Sequence, residues 1–410
     1  MKMIRSLYYQ RYGKSLIALM LIFFGLYLYN GIGGVRAWQN EYDYLHSKEF
    51  VTSDYYNHEW NIKDYDDNNK PIYYESIDDY RNERLMTYTY SENFYSTYAE
   101  MNATSNYNPE IAVAEPTYQA GNVYYSYYVS SQPWALLIFI LGFLLFFVDQ
   151  KTNFNRFLFS LSVSRKKLFT GKLLYLAGPF MLVIGLGILG NILIQWYGIP
   201  QLYMNATVIQ LLQSGLSHWI FTIFLLCSGM LLGVTLGNVV FGPLSILLGL
   251  FVLSQMTVFS FFSNLNIILT YFFPDIQLPM TDAIFVVWPG KTSTPWYISL
   301  ILMLLSALFI FLAERIFRKV SIEDDGDYVT SPGLRLPVFL TMFVSTCFFF
   351  TITMTSWYLV FNPVEDYTII RELIIITIVT CICSYILVYA RSIRKWWIAR
   401  RDNYLQRKSS

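Results

Sequence analysis

Charge is what this 410-residue chain has least of: Asp, Glu, Lys and Arg make up 14% of it, against 55% apolar and 19% aromatic residues. That leaves too little polar surface to cover a soluble domain, so the excess apolar residues have to face lipid. Cysteine is scarce as well. All four (Cys227, Cys347, Cys381, Cys383) lie in apolar runs, where they read as small core residues, and this excludes a disulfide framework for the polar stretch. The three histidines (His46, His58, His218) show no metal-ligand spacing, which argues against a zinc hydrolase centre. A phosphate-binding glycine loop is missing too: Gly290-Lys291-Thr292 imitates its end, but Phe285 stands where the first glycine belongs. No polar cytosolic stretch is long enough to fold as a nucleotide-hydrolysing domain.

What is present is a series of long apolar runs. Candidate spans are Ser15 to Val35, Pro133 to Val148, Leu173 to Trp196, Ile209 to Leu236, Pro243 to Phe262, Trp296 to Ala313, Pro337 to Phe361 and Ile369 to Ala390. The expected fold is an all-α polytopic membrane protein of about eight transmembrane helices. Asp149, Glu314, Arg371 and Glu372 sit at span ends, and no position inside a span is acidic or basic apart from His218. A charge at mid-membrane costs at least about 2.5 to 3.5 kcal/mol and is usually kept for ion coupling. A proton- or sodium-driven transporter would therefore have few groups with which to hold its ion. The first run is read as a span rather than a signal peptide, because no small-x-small cleavage site follows it. Ahead of it, Ile4, Leu7, Tyr8 and Arg11 at helical spacing predict a short interfacial helix.

Basic residues near span ends resist translocation. With the N-terminus inside, the inner segments hold 21 of the 29 Lys and Arg, while sixteen of the 28 acids fall between Glu41 and Glu115. Both termini are therefore expected in the cytoplasm, and residues 36–132 outside. That outer stretch holds eighteen tyrosines between Tyr42 and Tyr128, which supply packing area while their hydroxyls reach water. Ser76-Ile77-Asp78-Asp79 reads as a capping box opening a helix toward Met101. Asp64, Asp66, Asn68 and Glu75 have the spacing of a calcium loop, but Asn69 replaces its glycine and Pro71 follows, so a solvated acidic loop is the better reading. Ser263 to Pro295, apolar but broken by Pro274, Pro279, Pro289 and Pro295, reads as a re-entrant segment between spans five and six.

Between spans two and three, Phe154, Phe157, Leu158 and Leu161 recur at i, i+3, i+4 and i+7, predicting a short helix over 153–162 that turns Asn155, Arg156 and Ser160 outward. Ser164 is placed to cap the helix that follows. A lipid-held interfacial helix and a docking helix for a cytosolic motor are both open readings.

The phrase from Phe159 through Ser162-Val163-Ser164-Arg165-Lys166-Lys167 to Gly171-Lys172 resembles the "L-P-V-S-R-K-x-x-x-x-G-K" stretch of bacterial ABC-2-type transporter permeases, with Ser162 in place of proline. The turn Gly237-Asn238-Val239-Val240-Phe241-Gly242-Pro243 is similar to that family's turn between spans four and five. The resemblance covers residues 1–317, with 318–410 as two additional spans and a basic tail. It implies a multi-pass protein of the bacterial plasma membrane, paired with a second permease copy or paralogue and surrounded by membrane lipid, with no nucleic acid partner. A separate cytosolic ATPase would carry the ATP and Mg, leaving no cofactor, metal or catalytic residue on this chain. Its docking contacts would be Asn155, Arg156, Phe157, Phe159, Arg165, Lys166 and Asn238. The pathway would be lined from spans two and five by Phe139, Phe143, Phe146, Phe251, Ser254, Gln255 and Phe259, which suits an amphipathic peptide, an antibiotic or a lipid-like cargo. A reading of another class is a sensor or immunity protein whose outer domain binds a toxic peptide and transports nothing.

Overall fold

Backbone polar groups inside a bilayer must be satisfied within their own segment, and the computed structural model is accordingly mostly helical. It describes residues 2–51, 62–65, 70–85, 132–152, 154–204, 207–238, 240–246, 296–320, 327–361 and 366–409. The helices are α1 (Lys2–Leu45), α2 (Ile77–Leu85), α3 (Gln132–Lys151), α4 (Phe154–Ser160), α5 (Arg165–Lys172), α6 (Gly178–Gly198), α7 (Val208–Thr235), α8 (Trp296–Lys319), α9 (Arg335–Phe361) and α10 (Asp366–Ser409). Two short strands, β1 (Ile62–Tyr65) and β2 (Pro71–Tyr73), pair antiparallel, so the described fold is not purely helical. Asp64 stands in β1 opposite Ile72, an extended position rather than a loop.

Five helical segments are long and apolar enough to cross a membrane: Lys2–Leu45, Arg165–Gly198, Leu211–Thr235, Ser299–Lys319 and Arg371–Ala390. α3 meets the same test only when counted together with α4, and the two are bent by 72° at the break between them. Of the remaining expected spans, the seventh falls on α9, where the shorter apolar helix Pro332–Cys347 overlaps its first half. Most of the fifth, and the whole re-entrant segment to Pro295, lie outside the described residues.

The chain divides into two compact units. The first comprises Met1–Gln132, Lys172–Phe221 and Val287–Leu300. Its axis is α1, which no proline interrupts over 44 residues. At 1.5 Å per residue that is about 66 Å, twice the roughly 30 Å of a hydrocarbon core. The interfacial helix expected at Ile4 to Arg11 is therefore the opening of this one continuous helix. Ile4, Tyr8, Leu16, Phe23, Tyr27, Trp38 and Leu45 form its buried stripe, and it packs along α6. Past the apolar run, Trp38, Leu45, Phe50, Tyr80, Leu85 and Ile199 make a small separate core. Trp38 Nε1 donates to the Leu85 carbonyl at 2.9 Å. Ser76 Oγ accepts from the Asp79 amide at 3.1 Å, capping α2 as expected, and donates to the Asp79 carboxylate at 2.7 Å. Residues 86–101, into which that helix was expected to run, lie outside the described residues.

The second unit comprises Pro133–Gly171, Thr222–Val286 and Ile301–Ser410. Here α3 and α7 touch backbone to backbone. A Cβ added at Gly142 would overlap the Leu226 carbonyl; one at Gly229 or Gly233 would overlap the carbonyls of Phe139 and Phe143. Gly229 and Gly233 thus form a G-x-x-x-G pair whose missing side chains admit the neighbouring helix. Beside this contact Phe139, Phe143, Phe147, Leu236, Ile246, Tyr328, Val329 and Val388 share one core.

Candidate functional site

The segment from Asp149 to Gly171 is folded as a bracket. Asp149 is completely buried at the end of α3. Thr152 closes that helix, its amide and hydroxyl both donating to the Val148 carbonyl at 2.9 Å. The chain then swings into α4, which is only two turns long and buries Leu158 and Asn155. The predicted face is therefore rotated: Asn155 points into the chain and Phe157 is 48% exposed, its ring 5.9 Å from Phe154. Leu158 decides this orientation, because a helix of seven residues has one strong apolar anchor and its i−3 neighbour follows it inward. Among the described residues neither polar atom of the Asn155 amide finds a hydrogen-bond partner. Arg156 and Ser160 remain exposed, as the spacing predicted.

Ser164 opens α5 as expected, with its Oγ accepting from the Lys167 amide at 3.4 Å. Leu168 and Phe169 turn inward, while Lys166 and Lys167 are exposed. Four rings from four helices then meet. Phe317 of α8 lies 5.6 Å from Phe146 of α3, 5.5 Å from Phe159 of α4 and 5.8 Å from Phe169 of α5, and Phe146 stacks on Phe169 at 5.2 Å. Arg165 completes the bracket. Its Nη1 donates to the carbonyls of Arg318 (2.9 Å) and Val320 (2.7 Å), capping the end of α8, and its guanidinium lies over Phe159. A cation at a helix C-terminus meets orphan carbonyls and the negative end of the helix dipole. Arg165 and Phe159 are thus committed to this chain's own framework. Arg156, Phe157 and Lys166 present the outward surface.

Asn238 serves as a cap as well: its Oδ1 accepts the amides of Val240 (2.9 Å) and Phe241 (3.0 Å) at the start of the helical turns 241–246. Residues 327–330 run beside it as a strap that sequence reading missed. The Gly237 amide donates to the Tyr328 carbonyl (2.8 Å), the Thr330 amide to the Thr235 carbonyl (2.9 Å) and the Thr330 hydroxyl to the Val234 carbonyl (2.9 Å). Asp327 pairs with Arg335 at 2.6 Å, and Arg335 also donates to Ser392 of α10 at 3.0 Å. Tyr328 shares a 2.8 Å hydrogen bond with Ser245. Burial pushes its phenol above the ordinary value, and the Ser245 bond pulls it partly back.

Of the residues expected to line a pathway, Phe139, Phe143 and Phe146 are buried and packed within the second unit, Phe143 stacking on Phe147 at 4.6 Å. Phe251, Ser254, Gln255 and Phe259 lie outside the described residues. The first unit holds a separate polar cluster between its apolar helices. Tyr27 and His218 share a 2.9 Å bond, Asn191 donates to the Tyr27 carbonyl at 2.9 Å, and Gln195 donates to Asn191 at 2.8 Å. Gly31 leaves room for Asn191, whose Cα would lie 3.2 Å from an added Cβ. Such bonds join membrane helices and are worth roughly 0.6 to 2 kcal/mol each. Among the described residues no three His, Cys, Asp or Glu side chains gather as a metal ion would need.

Neither a scan against protein-family models nor searches of curated proteins and of solved structures gives a match, so the likeness to ABC-2 permeases stands on the residues quoted above.

Proposed function

We propose that this chain is the membrane subunit of an ATP-driven exporter of the ABC-2 permease kind, moved by a separate cytosolic ATPase and paired with a second permease. The observation that carries the reading is the bracket. α4 turns 72° away from the membrane helix α3, is tied by an aromatic cluster to α5 and α8, and offers Arg156 and Phe157 to whatever lies beyond. A rigid lever joined to two membrane helices is what a pushing partner needs, because force on a flexible loop would be lost in its own bending. Docking then falls to Arg156, Phe157 and Lys166. Asn155 is buried on the inner side of α4, Asn238 caps the turns 241–246, and Phe159 and Arg165 hold the lever in place.

In this reading the chain crosses the bacterial plasma membrane eight times. α3 and α9 supply two of the spans, residues 243–262 supply another, and both termini are inside. The small core around Trp38 and Tyr80 lies outside, carried on the rigid projection of α1. The cargo is amphipathic or lipid-like, and its pathway is assigned to residues 251–259, since the α3 rings are spent on packing.

The test is reconstitution. Vesicles holding this chain and its ATPase should take up a fluorescent amphipathic peptide when given ATP, and the chain alone should not. Arg156→Glu with Phe157→Glu should abolish ATPase association while leaving the melting temperature unchanged. ATPase binding indifferent to those changes, or uptake without nucleotide, would overturn the proposal. Peptide binding by the chain with no uptake under any condition would favour the sensor reading instead.

A further inference from the structure

α10 does not stop where its apolar stretch stops. Arg371–Ala390 is long enough to cross a membrane, and the same helix continues unbroken to Ser409. Between Arg391 and Lys408 the sequence places seven Lys and Arg against one acid, Asp402. The first turns of this continuation expose two indoles to solvent: Trp396 is 56% and Trp397 66% exposed, edge to face with each other at 6.5 Å. Arg394, Arg400 and Arg401 are exposed around them, and the Arg400 guanidinium lies 5.0 Å from the Trp396 ring centroid.

Position decides what covers those indoles. At 1.5 Å per residue, Trp396 stands about 9 Å beyond Ala390. The headgroup region on each side of the hydrocarbon is about 5 to 8 Å thick, and an ordinary helix tilt of about 20° lowers the indoles toward its outer edge. Indole rings prefer that level, and the long arginine side chains, which lean back toward the start of the helix, reach toward the phosphates. The i, i+4 spacing of Trp396 to Arg400 sets a cation beside a ring.

We propose that residues 394–401 of α10 bind the anionic phospholipid headgroups of the bilayer that α10 itself crosses. The surplus of positive charge selects phosphate esters carrying net negative charge over zwitterionic ones, and continuity with the span delivers the segment to that surface. The proposal is independent of the transport reading, since it needs only that α10 spans.

The test uses the full chain in lipid nanodiscs. Subtracting the fluorescence of the Trp396→Phe/Trp397→Phe variant from that of the unaltered protein isolates the two indoles. In phosphatidylcholine containing phosphatidylglycerol they should emit further to the blue and resist acrylamide quenching more than in phosphatidylcholine alone. Each arginine contributes about a fivefold factor in affinity, so Arg394→Gln/Arg400→Gln/Arg401→Gln should lose the shift while keeping its helical content. Equal protection in both lipids, or a shift that survives the triple substitution, overturns the proposal. So does protection produced by inorganic phosphate in phosphatidylcholine discs, or protection that appears only after cytosolic protein is added.

Discussion

The guanidinium of Arg165 lies 4.3 Å from the centroid of the Phe159 ring while its Nη1 holds the carbonyls of Arg318 and Val320. One side chain therefore joins the lever helix α4 to the end of the membrane helix α8. Arg165→Ala removes a stacked cation and two charge-assisted bonds, a loss of about 2 kcal/mol. Arg165→Lys should recover only part of it, because an ammonium cannot stack flat on a ring while forking to two carbonyls. Thermal unfolding in detergent should rank unaltered protein above Lys above Ala. Equal melting of all three would show that the bracket is held by its rings alone.

The α3–α7 contact gives a second expectation with its own internal control. Gly233→Ala places a methyl group on the Phe143 carbonyl and must push two helices apart, at a cost of about 1 to 3 kcal/mol. Gly33→Ala on α1 meets nothing within 4 Å and should stabilise by about 0.5 to 1 kcal/mol through helix propensity alone. The two substitutions should move the melting temperature in opposite directions. A shared sign would mean that propensity, and not close approach, governs both positions.

How much of this could be read from residues alone follows from the range of each interaction. Ser76 with Asp79, and Ser164 with Lys167, are contacts three residues apart, and the sequence shows both caps. The apolar spans are visible because hydropathy is summed over a long window. The orientation of α4 is not, because in seven residues the periodicity favours Phe157 and Leu158 alike, and the helix is fixed by distant contacts such as that of Phe159 with Phe317, more than 150 residues away. The strap had no local signal either. Asp327 and Arg335 are eight apart across a turn, and the carbonyls that Thr330 reaches belong to α7. The same limit explains Phe139, Phe143 and Phe146: an aromatic row looks alike whether it lines a path or fills a core, and it is the burial of all three rings against distant partners that puts them in packing contacts here.

Asn155 is the place where stability and use come apart. A buried amide with neither polar atom paired costs about 1 to 3 kcal/mol relative to a satisfied one. Asn155→Leu replaces it with a branched apolar side chain and should raise the melting temperature by a few degrees, corresponding to about 1 kcal/mol. If the amide is held in reserve for the partner ATPase, the same variant should bind that partner less tightly despite its greater stability. A variant both less stable and unaffected in association would mean that ordered water already satisfies the amide.

Tyr328 supplies a pH dependence whose sign is set by burial. Its phenol is raised above the ordinary value of 10.0, chiefly because the charged form would lose its hydration, with the Ser245 bond opposing in part. Below pH 10 the phenol is neutral in both folded and unfolded chains, and its contribution is fully present. Above pH 10 the unfolded chain releases the proton while the folded chain retains it, so stability is lost as pH rises toward the folded value. Tyr328→Phe should be less stable than the unaltered protein by about 1 kcal/mol at neutral pH, through loss of the Ser245 bond. The gap should narrow in alkaline buffer, because phenylalanine has no proton to release. The other tyrosines are common to both proteins, so the difference between their melting curves isolates this one. A gap that stays constant across that range would mean that the strap opens to water before the phenol ionises, and would detach Tyr328 from any role in holding α7 and α9 together.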